Sequence, residues 1–158
     1  MSQLTEHFHS KEFIVSAAHP NLVKQIAWTP KDELKAFYFA KTILEPIRKE
    51  LKESLIITSG KRNVLLNAAV GGVKTSDHRW LNESAACDFT FNKKNKHDLL
   101  EYTYLYAQRV LSQAFGQMII YRLGADKLAD FIHISLPTRQ HHGELLVKTD
   151  EKFMRYEP

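Results

Sequence analysis

Ser76-Asp77-His78-Arg79-Trp80-Leu81-Asn82-Glu83-Ser84-Ala85-Ala86-Cys87-Asp88 is the stretch from which this chain is best read. Its last residues open an alternating run, Ala86-Cys87-Asp88-Phe89-Thr90-Phe91. A period of two sends Ala86, Asp88 and Thr90 to one face of a strand, and Cys87, Phe89 and Phe91 to the other. One face is small and polar; the other belongs to a core. His78 and Asp88 offer the nitrogen and carboxylate oxygen that zinc prefers, and a catalytic zinc takes three protein ligands and leaves a fourth position open. The candidate third ligand is His133, in Asp130-Phe131-Ile132-His133-Ile134-Ser135, where alternation puts Phe131, His133 and Ser135 on one face. Asp130, three residues earlier, is placed to take a proton from water at the metal. With eight histidines and eighteen acids in the chain, such a spacing also arises by chance, so the weight falls on the surroundings.

Upstream, Thr29-Pro30 with Asp32 and Glu33 is a helix start: a capping hydroxyl, proline in the first turn, and acids at the positive end of the dipole. Leu34, Phe37, Leu44, Ile47 and Leu51 follow at helical spacing, and Pro46 should kink the helix. Leu55-Ile56-Ile57-Thr58 reads as a buried strand ending at Ser59-Gly60, with Arg62 at its exit. Val64 to Val70 reads as a short helix carrying Asn67, stopped by Gly71-Gly72. Downstream, Asp98 to Phe115 reads as a helix, although Tyr102, Tyr104 and Tyr106, spaced by two, leave a strand open. Gln117 to Tyr121 and Phe131 to Ser135 read as antiparallel neighbours joined by a loop with Gly124 and Asp126. Glu144 to Lys148 adds a last strand.

At 158 residues and 44% hydrophobic content, the chain can close one core, so a single domain is expected. Residues 1–28 form an arm docked through Leu4, Phe8 and Phe13, and residues 149–158 a peripheral tail. No apolar run reaches the roughly 18 residues of a membrane span, and Met1 to His7 lacks a signal peptide's basic start and apolar stretch. Synthesis in the cytoplasm and no membrane partner are the expectation. Cys87 is the single cysteine, which excludes an intrachain disulfide. A formal charge of +4 is ordinary for solubility. The lysines of Asn92 to Lys96 have no second basic cluster beside them, so nucleic acid is not expected as a partner.

The motifs also come in a telling order: Leu44-Glu45-Pro46-Ile47-Arg48, Ile57-Thr58-Ser59-Gly60-Lys61-Arg62, Asn67, Val70-Gly71-Gly72, Ser76-Asp77-His78, Ala86-Cys87-Asp88, Gln117-Met118-Ile119-Ile120 and Asp130-Phe131-Ile132-His133. This set resembles the zinc D-Ala-D-Ala carboxypeptidase family, small cell-wall peptidases of bacteria and bacteriophages related in fold to vancomycin-resistance dipeptidases and the Hedgehog signalling domain. The resemblance runs over roughly residues 4 to 136. It implies one zinc per chain held by His78, Asp88 and His133, with Asp130 as general base. It also implies Arg62 as the cation that binds substrate and steadies developing negative charge, and Ser76 as a supporting residue. The family writes its first two ligands as His-x-x-Gly-x-Ala-x-Asp. Here Ser84 stands at the glycine position and three extra residues separate His78 from Asp88. A loop longer by three costs little closure entropy, so the ligands still converge if the extra residues bulge outward; the altered spacing makes Glu83 and Asp77 substitute ligand candidates and leaves Trp80 to line or cover the cleft.

The fold expected is α+β: a small, mainly antiparallel sheet of the Hedgehog/DD-peptidase kind, with the site on one face and helices on the other. The function expected is zinc-dependent hydrolysis in the peptidoglycan stem peptide, of carboxypeptidase or L-Ala-D-Glu endopeptidase type, by a monomer acting on the cell wall in a phage lysis or virion-associated setting. The rival is a zinc-stabilised binding or virion structural module of the same fold without activity.

Overall fold

The alternation in Ala86–Phe91 is used as a central strand, β2. It pairs antiparallel on one side with β1 (Leu55–Ser59) and on the other with β4 (Phe131–Ser135). Strand β3 (Gln117–Arg122) makes the expected antiparallel hairpin with β4. Strand β5 (Glu144–Thr149) lies parallel to β3, and β6 (Phe153–Arg155) closes the far edge antiparallel to β5. The order is β1-β2-β4-β3-β5-β6. The computed structural model describes residues 1–150 and 152–155. Within the segment expected to be a peripheral tail, residues 153–155 thus form an edge strand; Glu151 and residues 156–158 lie outside the described residues.

One face of this sheet carries the core. Cys87, Phe89, Phe91, Met118, Ile120, Ile132 and Ile134 are buried against two helical layers. The first begins with α1 (Pro30–Phe39), capped by Thr29 in a reciprocal box with Asp32. A π-helical turn over Ala40–Leu44 then leads into α2 (Glu45–Leu51). A kink is expected at Pro46; what the structure has before it is this widened turn, since proline has no N–H to offer the carbonyl of Thr42 and the extra width relieves the clash with it. The second layer is α4 (Lys96–Val110), with Leu100, Tyr104 and Ala107 inward. The tyrosines spaced by two are therefore helical: Tyr104 is buried while Tyr102 faces solvent, because a helix face repeats every three to four residues. Each large side chain buried here contributes about 1.5–3 kcal/mol of transfer free energy.

The N-terminal arm is part of the same core. Leu4, Phe8 and Phe13 are buried, and the arm runs beside β1, where Ala17 N–H donates to the Thr58 carbonyl at 2.9 Å and Ser16 bridges Ser59. Gly60 follows at once, and its lack of a side chain is required: a Cβ there would sit 2.1 Å from the Phe13 carbonyl oxygen. The short helix α3 (Val64–Ala69), capped by Asn63, then turns the chain back toward the sheet. Asn67 donates from Nδ2 to the carbonyls of Gly72 and Val73 at 3.0 Å each, fixing the turn that follows. No helix among the described residues is long and apolar enough to cross a membrane.

Asp32 joins these parts. Its Oδ2 accepts from Thr29 N at 2.8 Å, Thr29 Oγ1 at 2.6 Å and Lys61 Nζ at 2.7 Å. Burial by itself raises the Asp32 carboxyl, but the bonds from Lys61 and Thr29 outweigh it and the net shift is downward. A lowered carboxyl stabilises the fold above the ordinary carboxylate range of about 4 and loses that contribution as pH falls through the folded-state value. Asp32→Asn is expected to lower unfolding free energy by about 1–3 kcal/mol near neutral pH, with the gap to wild type shrinking toward about pH 3. Urea titrations at the two pH values measure both.

Candidate metal centre

The β2–β4 register sets Asp88 directly opposite His133, both on the face turned away from the helices. His78 arrives from outside the sheet on a single 3₁₀ turn, Asp77–Arg79. A backbone bond from Arg62 N–H to the His78 carbonyl at 2.7 Å holds that turn down. The three side chains meet. His78 Nε2 lies 3.0 Å from Asp88 Oδ1 and 3.1 Å from His133 Nδ1, and His133 Nδ1 lies 2.9 Å from the same Asp88 oxygen. All three residues are buried. His78 Nδ1 sits 2.8 Å from the Gly60 carbonyl, which can only accept, so Nδ1 carries the proton and Nε2 keeps a lone pair for a metal.

This cluster fits zinc. Bonds of about 2.0–2.1 Å in tetrahedral array need donor atoms about 3.3 Å apart, and the three are within a few tenths of an ångström of that. No other group of three or more His, Cys, Asp or Glu side chains among the described residues comes together this way. The electrostatics favour the ligand forms as well. Burial pushes the His78 imidazole down, toward the neutral ring, against the pull of Asp88. Burial alone would raise Asp88, yet His78 and His133 hold it far below the usual carboxylate range.

Arg62 stands behind the carboxylate. A bulge after Ile57 re-aims the end of β1 so that Ser59 lies beside Asp88. The Ser59 hydroxyl receives Arg62 Nε at 3.2 Å and Nη2 at 2.9 Å, and Nη2 also reaches Asp88 Oδ2 at 3.3 Å. The arginine expected to meet substrate is thus first a partner of the metal ligand; burial lowers its pKa and Asp88 raises it.

The three extra residues do bulge outward. Trp80 and Asn82 adopt left-handed backbone conformations, and Leu81 and Glu83 are exposed. The ends of the loop are gripped from below by Lys35, a buried lysine whose Nζ donates to the Trp80 carbonyl at 2.7 Å and the Ser84 carbonyl at 2.9 Å. Asp88 therefore reaches the same place despite the added length. Trp80 does not line the cleft: it is buried, its ring edge-on to Phe13 at 5.7 Å and its Nε1 bonded to the Ala86 carbonyl. An indole this large gains more from the core than from a polar cleft. Glu83 is no ligand, and Asp77 lines the cavity beside His78 without joining the cluster.

The triad forms part of the wall of an open cavity of about 650 Å3. Ser76 and Arg62 line it, as do Tyr121, His141 and Lys148. Asp130 does not. Its Oδ2 accepts from Leu123 N at 2.7 Å, and its own N–H donates to the Tyr121 carbonyl, so it ties the β3–β4 hairpin. It stands just before β4, so the alternation of that strand does not fix its direction; the Leu123 amide does. Sequence reasoning passed over Lys35 and Lys148, whose roles depend on distant backbone, and Tyr121, which alternation along Gln117–Tyr121 does place on the metal face. The Tyr121 phenol is pushed up to about 12, by burial first and then by the charge of Asp88.

A buried His-Asp-His cluster at an open cavity, on the free face of a mainly antiparallel sheet, has the design of a metal-dependent hydrolase site. The family model described as Peptidase M15 matches residues 6–135. The chain belongs to this family of zinc-dependent peptidases. No curated protein and no solved structure gives a match.

His133→Ala and Asp88→Ala are each expected to lower bound zinc from one per chain to a small fraction, read by elemental analysis after dialysis. Lys35→Met should keep zinc stoichiometry near one while weakening affinity about tenfold or more, since it loosens the loop between two ligands without touching either. Unchanged affinity in a chelator competition would show that the loop holds its shape without the lysine.

Proposed function

We propose that the chain hydrolyses a peptide bond in the peptidoglycan stem peptide, as a D-Ala-D-Ala carboxypeptidase or an L-Ala-D-Glu endopeptidase. The observation that carries this is the triad's near-tetrahedral donor spacing in a chain of the Peptidase M15 family. The stem peptide as substrate, the cell wall as the place of action, and a phage lysis or virion-associated setting follow the cell-wall peptidases the motifs resemble.

Zinc, when bound, supplies a Lewis acid that polarises the scissile carbonyl and makes water a nucleophile near neutral pH. The chain's own groups do the rest. Asp77 and Asp88 are the carboxylates that line the cavity, and Asp88 is committed to His78, His133 and Arg62. Asp77 has no side-chain partner among the described residues, and it takes over the proton-accepting role that the motif order implied for Asp130. Arg62 orients Asp88 through its bond to Oδ2. Tyr121 stays protonated and is a hydrogen-bond donor toward a substrate oxygen.

A second reading, a zinc-stabilised binding module without activity, has one observation in its favour: the expected base, Asp130, is bonded to the Leu123 amide and lies outside the cavity wall. Mass spectrometry of purified peptidoglycan after digestion separates the two. Loss of terminal D-Ala or a cut between L-Ala and D-Glu supports the peptidase; no product from fully zinc-loaded protein supports the module. Asp77→Asn should retain zinc and lose about 100-fold or more in rate, whereas Asp130→Asn should stay within about tenfold of wild type and lose thermal stability instead. The reverse order would return the proton transfer to Asp130.

A further inference from the structure

Across the metal face, the sheet registers line up as rows. Asp88, His133 and Ile119 share one row with Leu146, and the next row runs Phe131, Tyr121, Lys148, Phe153. In that second row the Tyr121 and Phe131 rings stack at 4.3 Å, and Lys148 Nζ lies 4.5 Å from the centre of the Phe153 ring. All four line the metal cavity. Lys148 is half-buried and has no carboxylate partner among the described residues. Glu144, on the same face of β5, is held by His141 Nδ1 and Gln117 Nε2 at 2.7 Å each. Arg62, the remaining strong cation on the wall, is bonded to Ser59 and Asp88. Of the permanent cations lining the cavity, the one whose charge no carboxylate among the described residues answers is Lys148.

We infer that Lys148, steadied over Phe153, is an anion subsite of the metal cavity that takes a free carboxylate of the substrate, so that the chain selects acidic peptides. This rests on the peptidase reading and narrows its substrate class. Two strand spacings sideways and two residues along put the Lys148 backbone about 12 Å from that of His133. At about 3.4 Å per extended residue, the carboxylate it meets belongs to a residue about two or three positions from the bond at the metal, not to the scissile bond itself. Both β5 and β6 lie beyond residue 135, where the family match ends, so this subsite is built from residues outside the matched segment.

The test uses zinc-loaded protein and dye-labelled L-Ala-γ-D-Glu-L-Lys-D-Ala-D-Ala in three forms: both carboxylates free, the D-Glu α-carboxylate amidated, and the C-terminus amidated. Anisotropy read before turnover gives Kd, and product analysis gives kcat and KM. Wild type should bind one amidated form about tenfold or more weakly, as expected for losing a charge-assisted bond, and which form it is names the carboxylate. Lys148→Met should erase that preference and raise KM for the free form with kcat little changed; Lys148→Arg should keep the preference. Equal affinity of wild type for all three forms, or an equal loss for all three in Lys148→Met, overturns the subsite while leaving hydrolysis intact. Neither binding nor cleavage of any form overturns the subsite and the stem-peptide reading together.

Discussion

In the ladder between β2 and β4, Asp88 lies opposite His133, and the whole site depends on that pairing. A slip of one residue would turn both side chains into the layer of Phe89, Ile132 and Ile134 and bring those apolar groups out to water. The hydrophobic face thus specifies the register, and the register brings two metal ligands together. His78 is then added by two backbone contacts of its turn, Arg62 N–H to its carbonyl and its own Nδ1 to Gly60. Gly60 in turn is held against Phe13 of the N-terminal arm. Residues some 120 positions apart in the chain are positioned by one stack of packed backbone.

Such a cluster costs free energy without a metal. Three buried polar groups share one small space, and burial opposes charge on both His78 and Asp88. Their mutual bonds, with Arg62 and Ser59 behind the carboxylate, offset part of this. A cation coordinated by all three offsets more, which is why metal binding and folding should be coupled here. The longer loop between His78 and Asp88 is accommodated by the same logic: Lys35, itself buried, satisfies two loop carbonyls and leaves the exposed residues outside.

The metal face extends beyond the triad. The parallel β5 and the edge strand β6 carry it across β3, from the ligands to Tyr121 and Lys148. Beside the triad the floor of the cavity carries the row Phe131, Tyr121, Lys148 and Phe153, three rings and one positive charge.

Much of this was legible in the chain itself. Alternation in Ala86–Phe91 and Phe131–Ser135 placed Asp88 and His133 on the polar face, the capping signal at Thr29-Pro30 began α1, and the order of the motifs pointed to the peptidase family, because strand period, capping and motif order are local or linear properties. Four features needed the fold. Trp80 looked like a cleft residue and is core, since only packing tells where a loop indole turns. Asp130 drew its role from the motif order; that its carboxylate meets the Leu123 amide across the hairpin is a contact no linear pattern shows. Lys35 and Lys148 carried no signal, because what each meets is a backbone carbonyl or a cavity wall brought close by residues far away in sequence. The sequence by itself determined which atoms are able to bind a metal; the tertiary structure decided which of the remaining charges face it, because that depends on strand register and on contacts between segments far apart in the chain.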